Sequence, residues 1–205
     1  MEQFNCQMFL QFLDEVIESK EEQAQLQEFM GYCFLRDARF AKALILAGPV
    51  ASGKTVVVDM IRHLVGLSNC ISVPFDKKLQ DNAYQLYGKA VNISEFDEKK
   101  YIFELTFKSI ICNDTQLARR KYAREYISFI PDCKHILISN EPARTNGWRT
   151  LFINFRDKPY SEVDHTTFED IIPEKHEIFR WAQAGLTRLI ENNGFTTSIP
   201  EVGTL

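Results

Sequence analysis

The chain has 205 residues, 45% of them hydrophobic and 25% charged, with a formal net charge of −4. This is the composition of an ordinary globular protein, long enough for one sizeable core and a small helical appendage. It excludes a bilayer-spanning chain, because no apolar run approaches the ~20 residues needed to cross. It also argues against a surface coated in basic charge, though not against a local basic element lining a channel. The five cysteines, Cys6, Cys33, Cys70, Cys112 and Cys133, are scattered and never in C-x-x-C spacing. They read as reduced, structural thiols in a cytoplasmic protein, with no zinc site. The opening Met1-Glu2-Gln3-Phe4-Asn5 lacks the basic start and apolar stretch of a signal peptide.

Met8-Phe9, Phe12-Leu13 and Val16-Ile17 repeat at helical spacing, predicting an amphipathic helix over residues 4–18. Ser19-Lys20-Glu21-Glu22 is a capping-box pattern that starts a second helix running to Tyr32. The apolar run Ala43-Leu44-Ile45-Leu46 predicts a core strand. Gly48-Pro49-Val50-Ala51-Ser52-Gly53-Lys54-Thr55 follows it and fits the phosphate-loop pattern G-x-x-x-x-G-K-[ST]. A helix then runs to Val65, with Gly66 as its stop signal. Residues 89–94 form a second core strand, closed by Glu95-Phe96-Asp97-Glu98. A helix is expected over 100–112 and a β-hairpin over 115–129, around a basic centre. Residues 135–139, ending at Asn140, and 150–155 are two more core strands. Thr166-Thr167-Phe168-Glu169 is a further capping box, and Pro173 suits the first turn of a long helix that ends at Asn192-Asn193-Gly194. Strands alternating with helices around a phosphate loop imply a three-layer α/β core. The expected division is a helical segment over 1–36, a P-loop ATPase core over 37–158 and a helical segment over 159–205.

The loop carries the chemistry. Its glycines let backbone N–H groups point at phosphate oxygens, and the helix that follows adds partial positive charge. Lys54 can reach the β- and γ-phosphates and Thr55 can ligand Mg²⁺, so ATP and Mg²⁺ are the expected cofactors. A hydrolase also needs a carboxylate at the end of a neighbouring strand, and Glu95 fits, with Asp97 as the alternative. Asn140 can contact the γ-phosphate or the attacking water. Arg149 is the candidate arginine finger for a neighbouring subunit. Arg119, Arg120, Lys121 and Arg124 place positive charge at the hairpin turn, where Tyr122 can stack on or wedge a base.

In order and spacing these pieces resemble the superfamily 3 helicase module of phage and plasmid primase–helicases. The matching stretches are GYCFLRDARFAKALILAGPVASGKT, GKAVNISEFDE, FKSIICNDTQLARRKYAREYISFIPDCKHILISNEP, GWRTLFINF and EIFRWAQAGLTRLIENNGF. The resemblance implies an AAA+-type ATPase assembled as a homo-oligomeric ring, usually a hexamer. It also implies replicative unwinding of forked DNA, tracking on one strand, in a bacterial host cytoplasm. The segment from Arg119 to Tyr126 matches the family's channel hairpin. Relatives often have two adjacent acidic residues where this chain has Glu95-Phe96-Asp97, and they carry a primase or polymerase domain ahead of the helicase. Two rival readings are a small-molecule P-loop kinase and an ATP-switched loader that binds DNA without unwinding it.

Overall fold

A computed structural model of the protein describes residues 4–74, 83–95, 109–112, 114–119, 124–141, 149–157 and 166–196. Helix α1 spans Gln7–Val16 and buries Phe9, Phe12 and Leu13, the i, i+3, i+4 stripe read from the sequence. Helix α2 spans Lys20–Tyr32, and Ser19 Oγ accepts from the Glu22 N–H at 3.2 Å, as an N-cap should. The other half of the expected box is spent differently. Rather than turning back to Ser19, the Glu22 carboxylate accepts from the Asn154 backbone N–H and side-chain amide at 2.7 and 3.0 Å.

Among the described residues the sheet has five strands, all parallel. They are β1 (Ala43–Ala47), β2 (Cys70–Ile71), β3 (Val91–Glu95), β6 (Lys134–Ser139) and β7 (Thr150–Asn154), in the spatial order β2-β3-β6-β1-β7. Helix α3 (Lys54–Val65) follows β1. Strands β4 (Gln116–Ala118) and β5 (Ile127–Phe129) pair antiparallel as a separate ribbon between β3 and β6, as the hairpin expectation required. The two-residue strand β2 was not anticipated, being too short to show a period. Helix α4 (Phe168–Ile171), a 3-10 turn over Ile172–Glu174 and helix α5 (Lys175–Glu191) close the described chain. The capping box before α4 is shifted by one residue from the expected one. Thr167 is the N-cap, and the Asp170 carboxylate accepts from its N–H and hydroxyl at 2.8 and 2.7 Å. Of the helix expected over 100–112, only residues 109–111 are described as helical; 100–108 lie outside the described residues.

Alternation along the strands sorts two cores. Leu44, Leu46, Val91, Ile93, Ile136, Leu151 and Ile153 face one large cluster shared with α1, α2, α3 and α5. Ile45, Ala47 and Leu137 turn to the opposite face, against Val73, Leu86 and Ile110. This period of two is what a sheet covered on both sides requires. The helices from the two ends of the chain meet closely. A Cβ at Gly31 would fall 2.3 Å from Ala182 O, and one at Gly185 2.6 Å from the Gln27 carbonyl, so glycine on both helices sets the α2–α5 approach. The polar groups buried there are paired. Glu28 is fully buried and accepts from Arg188 Nε at 2.7 Å and Thr196 N at 2.8 Å, while Gln27 Nε2 donates to Trp181 O at 2.8 Å. Among the described residues no helix is long and apolar enough to cross a membrane.

Candidate functional site

Parallel pairing puts the ends of β1, β6, β3 and β7 along one edge. Ala47 is in register with Ser139 on one side and Asn154 on the other, and Glu95 with Ile138. The loop from Gly48 to Gly53 leaves β1 at this edge and leads into α3. Strand β1 is also where the strand order reverses, with β6, β3 and β2 to one side and β7 to the other. In open α/β sheets ligands bind at such a point, outside the strands' carboxyl ends.

Gly53 has φ +95°, which a residue with a Cβ would resist, and Ala51 also lies in the left-handed region at φ +64°. Lys54, the first residue of α3, is buried, and its ammonium is drawn back under the loop. Lys54 Nζ donates to the carbonyls of Gly48 and Pro49 at 2.6 and 2.5 Å and to Ser52 Oγ at 3.2 Å. Burial pulls its pKa below the ordinary lysine value. Thr55 is exposed on the first turn of α3, and Val50 stands out at the loop tip. Gly48 N donates to Ser139 O at 3.2 Å, which places Asn140, the exposed residue just past the end of β6, beside the loop. Glu95 is exposed at the end of β3, two strands from β1 and about 10 Å to the side at the usual strand spacing.

The other candidates lie elsewhere. The Arg149 carbonyl accepts from Ala43 N at 2.9 Å, so this residue sits at the opposite, amino-terminal edge of the sheet. That is five residues of strand, about 16 Å, from Asn154 beside the loop. Arg149 therefore cannot serve the loop of its own chain. Arg119 and Arg124 are exposed around the β4–β5 ribbon, and the Arg119 guanidinium lies 5.2 Å from the centre of the Tyr126 ring. Asp97, Arg120, Lys121 and Tyr122 lie outside the described residues.

Sequence reasoning missed the side chains that brace the loop. A Cβ at Gly53 would fall 2.9 Å from Phe12 Cζ and 3.3 Å from Val16 Cγ1, so α1 rests directly on the loop backbone. A Cβ at Gly48 would meet Phe155 at 2.8 Å. It also missed two groups on β6. Lys134 Nζ donates to the carbonyls of Leu35, Asp37 and Asp132 at 2.6, 2.5 and 2.8 Å, pinning the α2–β1 connection beneath the sheet. His135 is buried, and burial, with Lys134 beside it, drops its pKa to about 3. No local pattern marks these residues, because their partners are distant in sequence. A cleft of about 590 Å³, lined by Arg36, Arg39, Tyr87 and Ile130 among others, opens away from the loop, beside the start of β6.

Among the described residues no three His, Cys, Asp or Glu side chains gather as a metal cluster. A magnesium ion needs none, since it is typically held by one or two protein oxygens together with phosphate and water. Thr55 and Glu95 are hard oxygen donors of that kind, so the donor set fits.

A family model matches residues 46–149, from the end of β1 to the start of β7 and including the loop. The chain belongs to that family, which is described as a family of unknown function (DUF5906). Among solved structures, the apo structure of the NrS-1 C-terminal region (305–718) matches with a TM-score of 0.68 at 16% identity, over 97% of this chain and 53% of that one. The A-form apo structure of the same region matches with a TM-score of 0.67 at 16% identity, over 91% of this chain and 46% of that one. At this identity the likeness is one of fold, and the chain spans about half the length of those structures. No curated protein matches the chain.

Proposed function

We propose that the chain is an ATP-dependent DNA helicase of the superfamily 3 type, the helicase part of a phage or plasmid primase–helicase. In this reading it is an AAA+-type P-loop ATPase that works as a ring of copies, a hexamer, on single-stranded DNA. One observation carries the reading. The G-x-x-x-x-G-K-T loop sits at the carboxyl end of a central parallel strand, Lys54 lies beneath it, and Asn140 and Glu95 end the next two strands on the same edge. The fold shared with the NrS-1 C-terminal region is compatible with it.

ATP supplies the γ-phosphate whose cleavage releases the free energy for movement. The chain's own residues do the rest. Lys54 exchanges its loop carbonyls for the β- and γ-phosphate oxygens, and the loop N–H groups with the α3 amino terminus complete the phosphate seat. Thr55 and Glu95 would hold Mg²⁺, which when bound would neutralise phosphate charge; Glu95 or Asp97 would polarise the attacking water, and Asn140 would orient it against the γ-phosphate. Arg149, on the far edge of its own sheet, stabilises transition-state charge in a neighbouring copy. Arg119, Arg120, Lys121 and Arg124 contact the DNA backbone and Tyr122 stacks on a base.

The test is steady-state ATP turnover with and without single-stranded DNA. The wild-type chain is expected to hydrolyse ATP faster with DNA present. Lys54→Ala is expected to lose turnover by at least a hundredfold while keeping its fold, because the residue holds phosphate charge and no part of the hydrophobic core. Turnover that ignores DNA and persists in a strictly monomeric protein would favour the kinase reading. DNA-stimulated turnover without strand separation would favour the loader.

A further inference from the structure

Helix α1 contacts the loop at one end and the carboxyl-terminal helices at the other. At its amino end, Cys6 offers no side-chain cap. The cap comes from far away in sequence. The Glu174 carboxylate accepts from Met8 N at 3.1 Å and from Phe9 N at 2.9 Å, the N–H groups that a local cap would ordinarily take. The carboxylate also meets the positive end of the helix dipole. Glu177, one turn on, accepts from Asn5 N at 3.3 Å. At the other end of α1, Val16 O accepts from Arg156 N at 2.8 Å and Ile17 bridges Phe155. Phe12 is buried, and its ring occupies the space a Cβ at Gly53 would need. At Gly48 the Cβ and carbonyl oxygen of Phe155 stand in that space instead. Both glycines of the phosphate-loop pattern are therefore backed by side chains from outside the loop.

We infer that Phe12 is a positioning residue for nucleotide binding, and that α1 acts as a strut transmitting the position of Glu174 to the phosphate loop. The inference deepens the nucleotide-site reading and rests on it. A loop held at φ +95° by packing has its N–H groups already aimed, so less ordering is lost on binding. Removing the ring frees the loop backbone at Gly53 and raises that cost. Phe12 touches neither phosphate nor water in this scheme. Its loss changes affinity and leaves the chemical step of the bound state nearly intact.

The experiment titrates the full chain with a fluorescent ATP analogue and Mg²⁺, and measures ATP turnover at saturation. Phe12→Ala is expected to weaken nucleotide binding about tenfold with kcat within twofold of wild type. Phe12→Leu, which refills most of the volume, is expected to restore most of the affinity. Glu174→Gln keeps the side chain's size but removes the carboxylate charge from the α1 amino terminus. It is expected to weaken nucleotide binding about threefold although the amides it caps, Met8 and Phe9, lie about 5 Å along the helix from Phe12. Nucleotide should slow hydrogen exchange of the α1 amides in the wild-type chain. Folded Phe12→Ala and Glu174→Gln variants with wild-type affinity, and α1 amides indifferent to nucleotide, would overturn the inference. A wild-type chain that binds no nucleotide at all would instead overturn the reading of the loop, which separates the two failures.

Discussion

Lys54 is a buried cation whose partners are the carbonyls of the loop it follows, an arrangement a phosphate can displace. Its proposed role rests on eight consecutive residues, because the phosphate-loop pattern is local. Glu95 was legible only as a charge at a strand end. The structure places it on the loop edge, and Asp97 lies outside the described residues. Glu95→Gln is therefore expected to bind Mg–ATP normally and to hydrolyse it at least tenfold more slowly, as read by nucleotide titration beside turnover. If Asp97→Asn proves the more damaging change, the metal-side carboxylate is Asp97. His135 illustrates what could not be read, because nothing local says that a histidine in an apolar strand is fully enclosed. Folded, it stays neutral down to about pH 3, whereas the unfolded chain takes up that proton near pH 6.5. The unfolded state thus binds more protons between those values, and stability falls as pH drops through that range. Carboxylates held low by their partners, such as Asp37 beside Arg39, add to the loss further into acid. His135→Gln, which cannot titrate, is expected to lose less stability than the wild type between pH 7 and pH 4.5 in urea melts. Equal losses in the two proteins would place the acid sensitivity elsewhere.

At the scale of elements, α1 was legible from its helical period, α2 from its capping residue Ser19, and β1, β3, β6 and β7 from their apolar runs. The antiparallel ribbon was too, since two short apolar runs flank a polar turn. Three features were not. The strand β2 is two residues long. The capping box before α4 was read one residue early, because two threonines precede two acids and only geometry chooses between them. Gly31 and Gly185 carry no local signal of their role, whereas they mark the α2–α5 crossing. Two effects compete in Gly185→Ala. Helix propensity favours alanine by roughly 1 kcal/mol. The new Cβ would lie 2.6 Å from Gln27 backbone atoms, which cannot rotate away, and overpacking of this kind costs about 1–3 kcal/mol. The clash is expected to win, lowering the denaturant midpoint. A raised midpoint would mean that the helices slide apart at no cost.

For the whole molecule, the position of Arg149 is the informative one. The sequence suggested a finger for a neighbour, and parallel pairing puts it on the edge opposite its own loop. If it acts across an interface, Arg149→Ala should bind ATP normally and hydrolyse it poorly. Mixing it with Lys54→Ala should recover part of the lost turnover, because some interfaces then pair an intact loop with an intact arginine. Specific activity should also rise with protein concentration as copies associate. No recovery on mixing would assign Arg149 a role within its own chain or none at all. Assembly and DNA tracking are proposed only through the resemblance to a known module, since one chain carries no direct mark of its neighbours. The most direct test of the central claim is displacement of a labelled strand from forked DNA by the wild-type chain. The account predicts displacement with ATP and Mg²⁺, none with a non-hydrolysable analogue, and none by Lys54→Ala. Sustained ATP hydrolysis on the same fork with no strand released would contradict it.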